Sequence, residues 1–260
     1  MRNCPIALSI AGSDSSGGAG IQADIKTFSA LGCCAMTAVT ALTAQNTKGV
    51  QAVFPVPAAF IGRQISAVLG DIGADAVKIG MLGGAAAAET VAAALRKHKA
   101  KNIVLDPVMF SKNGVRLLAA GAENVLLGKL VPMSAVFTPN IPEAQVLLGE
   151  KITSASDMEL AAIKLARYGA RAVVVKGGHL GGSKSPDCAY LGRLKKTYWF
   201  DSTRIRAKNT HGTGCVFSAA IAAYLAKGCA IPEAVRRAKT HLAAALRQGV
   251  KYGGCCGSLF

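Results

Sequence analysis

The amino-acid sequence predicts an α/β fold in which a largely parallel sheet is covered by helices on both faces. Three observations carry that expectation. Short β-branched runs alternate with helix-period stretches from end to end, and most of the runs lead into a Gly- or Pro-marked turn. Composition agrees: 29 glycines and an aromatic share of only 5% suit packed helices and tight turns better than an aromatic-rich β-sandwich. With 260 residues, 51% of them apolar, the chain has ample material for a core, which excludes disorder and fibrous repeats. Neither a linker nor a fixed-period repeat interrupts it, so a single domain over residues 1–260 is expected, with the glycine- and cysteine-rich tail 253–260 frayed.

In chain order, Ile6 to Ile10 reads as the first strand, and Ile21, Ile25, Phe28 and Leu31 then recur at helical spacing. A strand at Cys34 to Leu42 precedes a helix from Pro57, whose missing N–H suits a first helical turn and whose apolar face holds Phe60, Ile61, Ile65, Val68 and Leu69. Further strands are expected at Ala76 to Ile79, Ile103 to Leu105, Ala135 to Thr138 and Ala172 to Val175. A helix capped by Ser156, with Glu159 three residues on, lies between the last two. Only Asp187 to Arg206 breaks the rhythm: Cys188 to Leu191 and Lys196 to Phe200 flank Gly192 and predict a β-hairpin at the sheet edge. Helices resume at about Thr213, as a long amphipathic segment, and again from Pro232.

Charge is the oddity, because 30 basic against 14 acidic residues give a net +16. The excess is lopsided: residues 1–150 hold 12 basic and 9 acidic side chains, and residues 151–260 hold 18 and 5. Such a half fits a nucleic-acid binder, a membrane-surface protein or a pocket for phosphorylated substrates. The eight cysteines include two adjacent pairs and no CxxC spacing, which speaks for reduced thiols in a cytoplasm rather than a zinc or disulfide framework. No secretory leader is expected, since Gly12-Ser13-Asp14 cuts the first apolar run short, and no stretch reaches the ~20 apolar residues of a membrane span.

Four local patterns point to chemistry. Gly12-Ser13-Asp14-Ser15-Ser16-Gly17-Gly18-Ala19-Gly20 joins the first strand to the first helix, a turn that either lets backbone approach a ligand or is simply tight. Gly18, Gly20 and Ala23 satisfy GxGxxA, yet no acid lies between Asp24 and Asp71 to hold a ribose, and no Lys follows Gly17 as a P-loop requires. The second pattern, Asn209 to Cys215, runs into a helix whose start would stabilise an anion; a thiol there has its pKa lowered and can act as base or nucleophile, unless Cys215 is merely structural. Third, Asp106 and Glu143 stand at strand ends with Asn140 between them, either as turn residues or as a set able to hold hydrated Mg²⁺. Fourth, Lys176-Gly177-Gly178-His179 follows a strand and reads as a phosphate-facing loop or a solvated lysine. His98, His179 and His241 form no metal spacing, and His211 matters only through the glycine turn beside it.

The ordered blocks SIAGSDSSGGAGIQADIKTF, TALTAQNT, DAVKIGML, LDPVM, TPNIPEA, VVVKGGH and NTHGTGC resemble the hydroxymethylpyrimidine/phosphomethylpyrimidine kinases of thiamine biosynthesis, in the ribokinase-like superfamily. The resemblance implies a three-layer αβα sandwich with a mostly parallel central sheet and a short edge hairpin. It also implies transfer of the γ-phosphoryl of MgATP to 4-amino-5-hydroxymethyl-2-methylpyrimidine and then to its monophosphate, by a cytoplasmic homodimer. By similarity Gln45 bonds the aminopyrimidine edge, Gly12 and Met81 line the ring pocket, Val108 closes it and Asp24 approaches the hydroxymethyl. Gly212, Thr213, Gly214 and Cys215 form the anion hole with Cys215 as base; Asp106 and Glu143 order Mg²⁺, and Lys176 with Asn140 faces ATP. Phe110 to Gly114 and Cys33-Cys34 depart from the family pattern at the pocket edge. A pyridoxal kinase of the same fold is the nearer alternative and a non-enzymatic nucleic-acid binder the remote one, the latter lacking a basic stripe with interleaved aromatics.

Overall fold

A computed structural model describes residues 4–111, 113–205 and 211–249, so the expected frayed tail and the Asn209-Thr210 start of the second glycine turn lie outside the described residues. Among these residues one nine-stranded sheet runs through the molecule. Its strands are β1 (Ile6–Asp14), β2 (Cys34–Asn46), β3 (Gly49–Pro55), β4 (Ala76–Ile79), β5 (Ile103–Leu105), β6 (Val136–Phe137), β7 (Ala172–Lys176), β8 (Asp187–Leu191) and β9 (Lys196–Phe200). They lie in the order β3-β2-β1-β4-β5-β6-β7-β8-β9. From β2 to β7 every neighbour is parallel, whereas β3, β8 and β9 are antiparallel additions at the two edges.

Two apolar layers follow from the two-residue period of the strands. Leu8, Ile10, Val77, Ile79, Ile103, Leu105, Val173 and Val175 point to one face, packing against helices α2 (Ala58–Ala67), α3 (Ala85–Lys97), α5 (Ile141–Leu148) and α6 (Ala155–Ala166). Ala7, Ala76, Val104, Val136, Ala172 and Val174 point to the other, against α1 (Gly20–Ala30), α7 (Thr213–Ala226) and α8 (Ile231–Gln248). A short α4 (Ala122–Val125) widens into a turn ending at Met133. No helix of the described residues is long and apolar enough to cross a membrane.

Several expected details shift. The second strand continues to Asn46 and turns back as β3, a hairpin that the sequence pattern did not announce, pinned by Lys48 N–H donating to Asn46 Oδ1 at 2.9 Å. Pro57 caps α2 from outside instead of opening it, and Phe60 is 55% exposed, off the buried face of Ile61 and Ile65. Ile25 likewise sits at the surface of α1. The cap of α6 is Ser154 with Asp157, two residues ahead of the Ser156 and Glu159 pair. The long helix α7 is not amphipathic: Val216 to Ala223 are all buried, because the helix is held between the sheet and α1 and α8. The edge hairpin β8–β9 stands where the sequence placed it.

Candidate active site

All six parallel strands end on one rim, the position where open parallel sheets bind ligands, and the order of strands across the sheet reverses between β1 and β4. A cleft of about 750 Å³ runs along this rim. It is lined by Gly12, Gln45, Met81 and Val108 and by two bonded pairs, Asp106 with Lys176 and Asn140 with Glu143. Gly212, Thr213, Gly214 and Cys215 line it too, at the start of α7. The residues singled out along the sequence therefore converge, with one exception.

That exception is Asp24. Its carboxylate is fully buried on α1, where it accepts two bonds from Lys78 Nζ at 2.8 and 2.9 Å and one from Ser9 Oγ. The expected approach to a hydroxymethyl group is corrected: Asp24 sits beneath the floor and reaches the cleft only through Lys78, which lines it. Burial raises the Asp24 carboxyl against the pull of Lys78. Burial alone would lower Lys78, but Asp24 and, more weakly, Cys215 and Asp106 outweigh it and hold the ammonium above its ordinary range. Removing one member of such a pair strands a charge in the core, at about 3–5 kcal/mol.

The phosphate-side cluster is built from three strand ends. Lys176 Nζ donates to Asp106 Oδ1 at 2.6 Å, and Ser218 Oγ on α7, within 2.9 Å of the Gly214 carbonyl, lies 3.2 Å from Asp106 Oδ2. Asn140 caps α5 by accepting from Glu143 N–H at 2.9 Å, while Glu143 Oε2 accepts from Asn140 N–H at 2.8 Å. This reciprocal box places the Glu143 carboxylate at the rim, nearly buried. Burial raises the Glu143 carboxyl, opposed by Lys176; burial would lower Lys176, but Asp106 and Glu143 overcome it and raise it. Two carboxylates face one ammonium here. Such a site retains a negative charge that a hydrated divalent cation fits, since Mg²⁺ keeps its waters and asks for few protein ligands. The glycine after Lys176 has a different reason from the expected one. A Cβ on Gly177 would overlap the Pro186 carbonyl oxygen, so this glycine serves packing of the strand end.

The two glycine turns touch. Gly212, in left-handed conformation at φ 81°, caps α7, and a Cβ on it would overlap the Gly18 carbonyl oxygen of the first turn. Cys215 follows in the first turn of α7 and receives the Gly20 backbone N–H. Its thiol departs from expectation, because burial pushes it up and the Lys78 charge recovers only part of that rise. Desolvation thus outweighs the helix start that was to lower it. Sequence reasoning missed Asp14, Lys78 and Ser218 and gave His211 little weight. Asp14 accepts from Ser16, Gly18 and Ala19 N–H groups and from His211 Nε2, contacts spread over 197 positions that no local pattern displays.

This fold and this cleft define a ribokinase-like small-molecule kinase, a phosphotransferase. The chain belongs to the phosphomethylpyrimidine kinase family, which it matches over residues 14–259. It is 47% identical over 242 residues to the hydroxymethylpyrimidine/phosphomethylpyrimidine kinase of Rhizobium meliloti, covering 93% of this chain and 90% of that one. To the thiamine biosynthesis bifunctional protein ThiED of Geobacter sulfurreducens it is 48% identical over 240 residues, 92% of this chain but only 49% of that protein, so the chain spans about half of it. Among solved structures, the ADP complex of Bacillus subtilis pyridoxal kinase superposes with a TM-score of 0.90 at 38% identity, covering 98% and 96% of the two chains. The phosphomethylpyrimidine kinase of Clostridium difficile superposes with a TM-score of 0.81 at 42% identity, covering 93% and 99%.

Proposed function

We propose that this chain transfers the γ-phosphoryl group of ATP to the hydroxymethyl oxygen of 4-amino-5-hydroxymethyl-2-methylpyrimidine, and then a second phosphoryl group to the monophosphate, in the biosynthesis of thiamine. The observation that carries the reading is that the α7 start adjoins both groups of lining residues: His211, just ahead of Gly212, lies 3.0 Å from Gln45, and a Cβ on Gly214 would lie 3.5 Å from Asp106 Oδ2 and 3.6 Å from Lys176 Nζ. Gln45 reads the pyrimidine edge, Gly12 and Met81 hold the ring, and Val108 closes over it. The Gly212, Thr213, Gly214 and Cys215 N–H groups stabilise charge on the equatorial oxygens, where in-line transfer needs compensation most. Lys176 and Asn140 face the ATP phosphates, and Asp106 with Glu143 would hold Mg²⁺, whose charge would offset that of the phosphates. Cys215 takes the proton of the hydroxymethyl group. On this reading the enzyme works in the cytoplasm as a homodimer, and its basic excess serves anionic substrates in place of nucleic acid.

The likeness to pyridoxal kinase favours a second reading, in which Cys215 meets the aldehyde of a B6 vitamer. One preparation assayed against hydroxymethylpyrimidine, its monophosphate and pyridoxal in competition separates them. We expect both pyrimidines to be phosphorylated with the higher kcat/KM; a preference for pyridoxal would reverse the assignment.

A further inference from the structure

In the cleft lining Asp14 and His211, which the proposed phosphoryl transfer leaves unused, form a hydrogen-bond chain with Gln45 whose donors and acceptors can be counted. Asp14 Oδ2 lies 2.8 Å from His211 Nε2 while also accepting from Ala19 N–H at 2.8 Å. Despite the burial that would raise it, bonds from His211 and Ser16 hold the Asp14 carboxyl at about 2, so it is ionised and accepts only. His211 Nε2 therefore carries the proton. The Gln45 amide atom facing that nitrogen lies 3.0 Å away; a nitrogen there would set two donors against each other, whereas an oxygen can share the single Nε2 hydrogen with Asp14. Hydrogen-bond logic places the Gln45 carbonyl oxygen toward His211.

The opposite side of the amide gives the same answer independently. Thr43 Oγ1 donates its single hydrogen to the Ser13 carbonyl at 2.9 Å, so toward the Gln45 amide atom 3.2 Å away it can only accept. That atom is the amide nitrogen. The ring of His211 packs against the first glycine turn, where a Cβ on Gly18 would come within 2.6 Å of its Cδ2.

We propose that Asp14 and His211 are a positioning pair that fixes the Gln45 amide one way round, making the cleft select a ring nitrogen beside an exocyclic amine over the reversed arrangement. The inference rests on the pyrimidine reading of this part of the cleft. Held in this order, Gln45 offers its second N–H to a ring acceptor and its second lone pair to an amine. A 4-oxo ligand, with a ring N–H beside a carbonyl, demands that the amide turn over and break its bonds to His211 and Thr43 together. Sites that hydrogen-bond a substrate group reject ligands that leave those bonds unmade by large factors.

Calorimetric Kd values for 4-amino-5-hydroxymethyl-2-methylpyrimidine and its 4-oxo counterpart test this in the whole chain. The parent protein should favour the amino ligand by on the order of 100-fold. His211→Phe should narrow that ratio by about tenfold, and Thr43→Val should narrow it similarly with His211 in place, guarding against a folding defect in one variant. His211→Gln, whose amide N–H can still donate to both partners, should keep the ratio within about threefold of the parent. A ratio unchanged in His211→Phe and Thr43→Val, while Gln45→Ala abolishes amino-ligand binding, overturns the pair but leaves the pocket reading intact. Undiminished amino-ligand binding by Gln45→Ala overturns both.

Discussion

Two side chains carry the chemistry of single residues furthest. Cys215 lies where a base is needed, yet burial holds its thiol above the ordinary value. The reactive thiolate is then scarce at neutral pH, so turnover should still climb above the ordinary thiol pKa of about 8.5. Cys215→Ser and Cys215→Ala should bind both ligands within about threefold of the parent but lose on the order of 100-fold in kcat, the scale of a missing general base. Full turnover in both variants removes the thiol from the reaction. Asp14 makes a separate prediction about stability. Its folded carboxyl is held at about 2, below the ordinary value of about 3.9, so the stability it adds is present above pH 4 and drains away as pH falls toward 2. The depression is worth about 2 kcal/mol. Urea midpoints measured between pH 4 and pH 2 should fall more steeply for the parent than for Asp14→Asn, and parallel slopes would contradict the assignment.

At the scale of elements, α7 is bounded by two glycines in the same left-handed conformation, and only one of them is pressed against another element. A Cβ on Gly212 would drive into the Gly18 carbonyl oxygen, whereas one on Gly228, at φ 82°, would meet nothing within 4 Å. Gly228→Ala should therefore cost only the backbone term of about 1 kcal/mol. Gly212→Ala must also part the two glycine turns, so it should lose more thermal stability and most turnover. Equal losses in melting temperature would show that the turns do not depend on each other. Five of the six parallel strands, all but β2, were legible because each is almost wholly buried and reads as an apolar run. By contrast, β3 is mostly exposed and carries no burial period to detect. At the α6 start the S-x-x-E pattern points to Ser156 with Glu159, whereas the box forms two residues earlier with Asp157 in the place where the pattern asks for Glu or Gln. Within the site, Cys215 and Lys176 announce themselves by their turns. The Lys78–Asp24 and His211–Asp14 pairs do not, because the sheet brings together residues 54 and 197 positions apart.

The whole molecule poses a problem of surface. Leu42 and Phe54 are register partners across β2 and β3 and are 50% and 66% exposed, with Val53 and Phe60 also open to solvent in the same region of the sheet edge. An exposed edge strand bearing large apolar side chains is a liability that soluble proteins cover or charge, and no covering element of this chain does so among the described residues. The net charge of +16, concentrated in the second half of the sequence, discourages nonspecific self-association. A specific contact through the apolar β2–β3 edge, which belongs to the less charged first half, escapes that repulsion. The homodimer proposed above would place its seam here. Sedimentation equilibrium at micromolar concentration should give the mass of two chains, and Phe54→Glu, which sets a charge in the middle of the seam, should give one chain with the fold intact by circular dichroism. A dimer undisturbed by Phe54→Glu would move the seam elsewhere on the surface, and a monomeric parent protein would dispense with it.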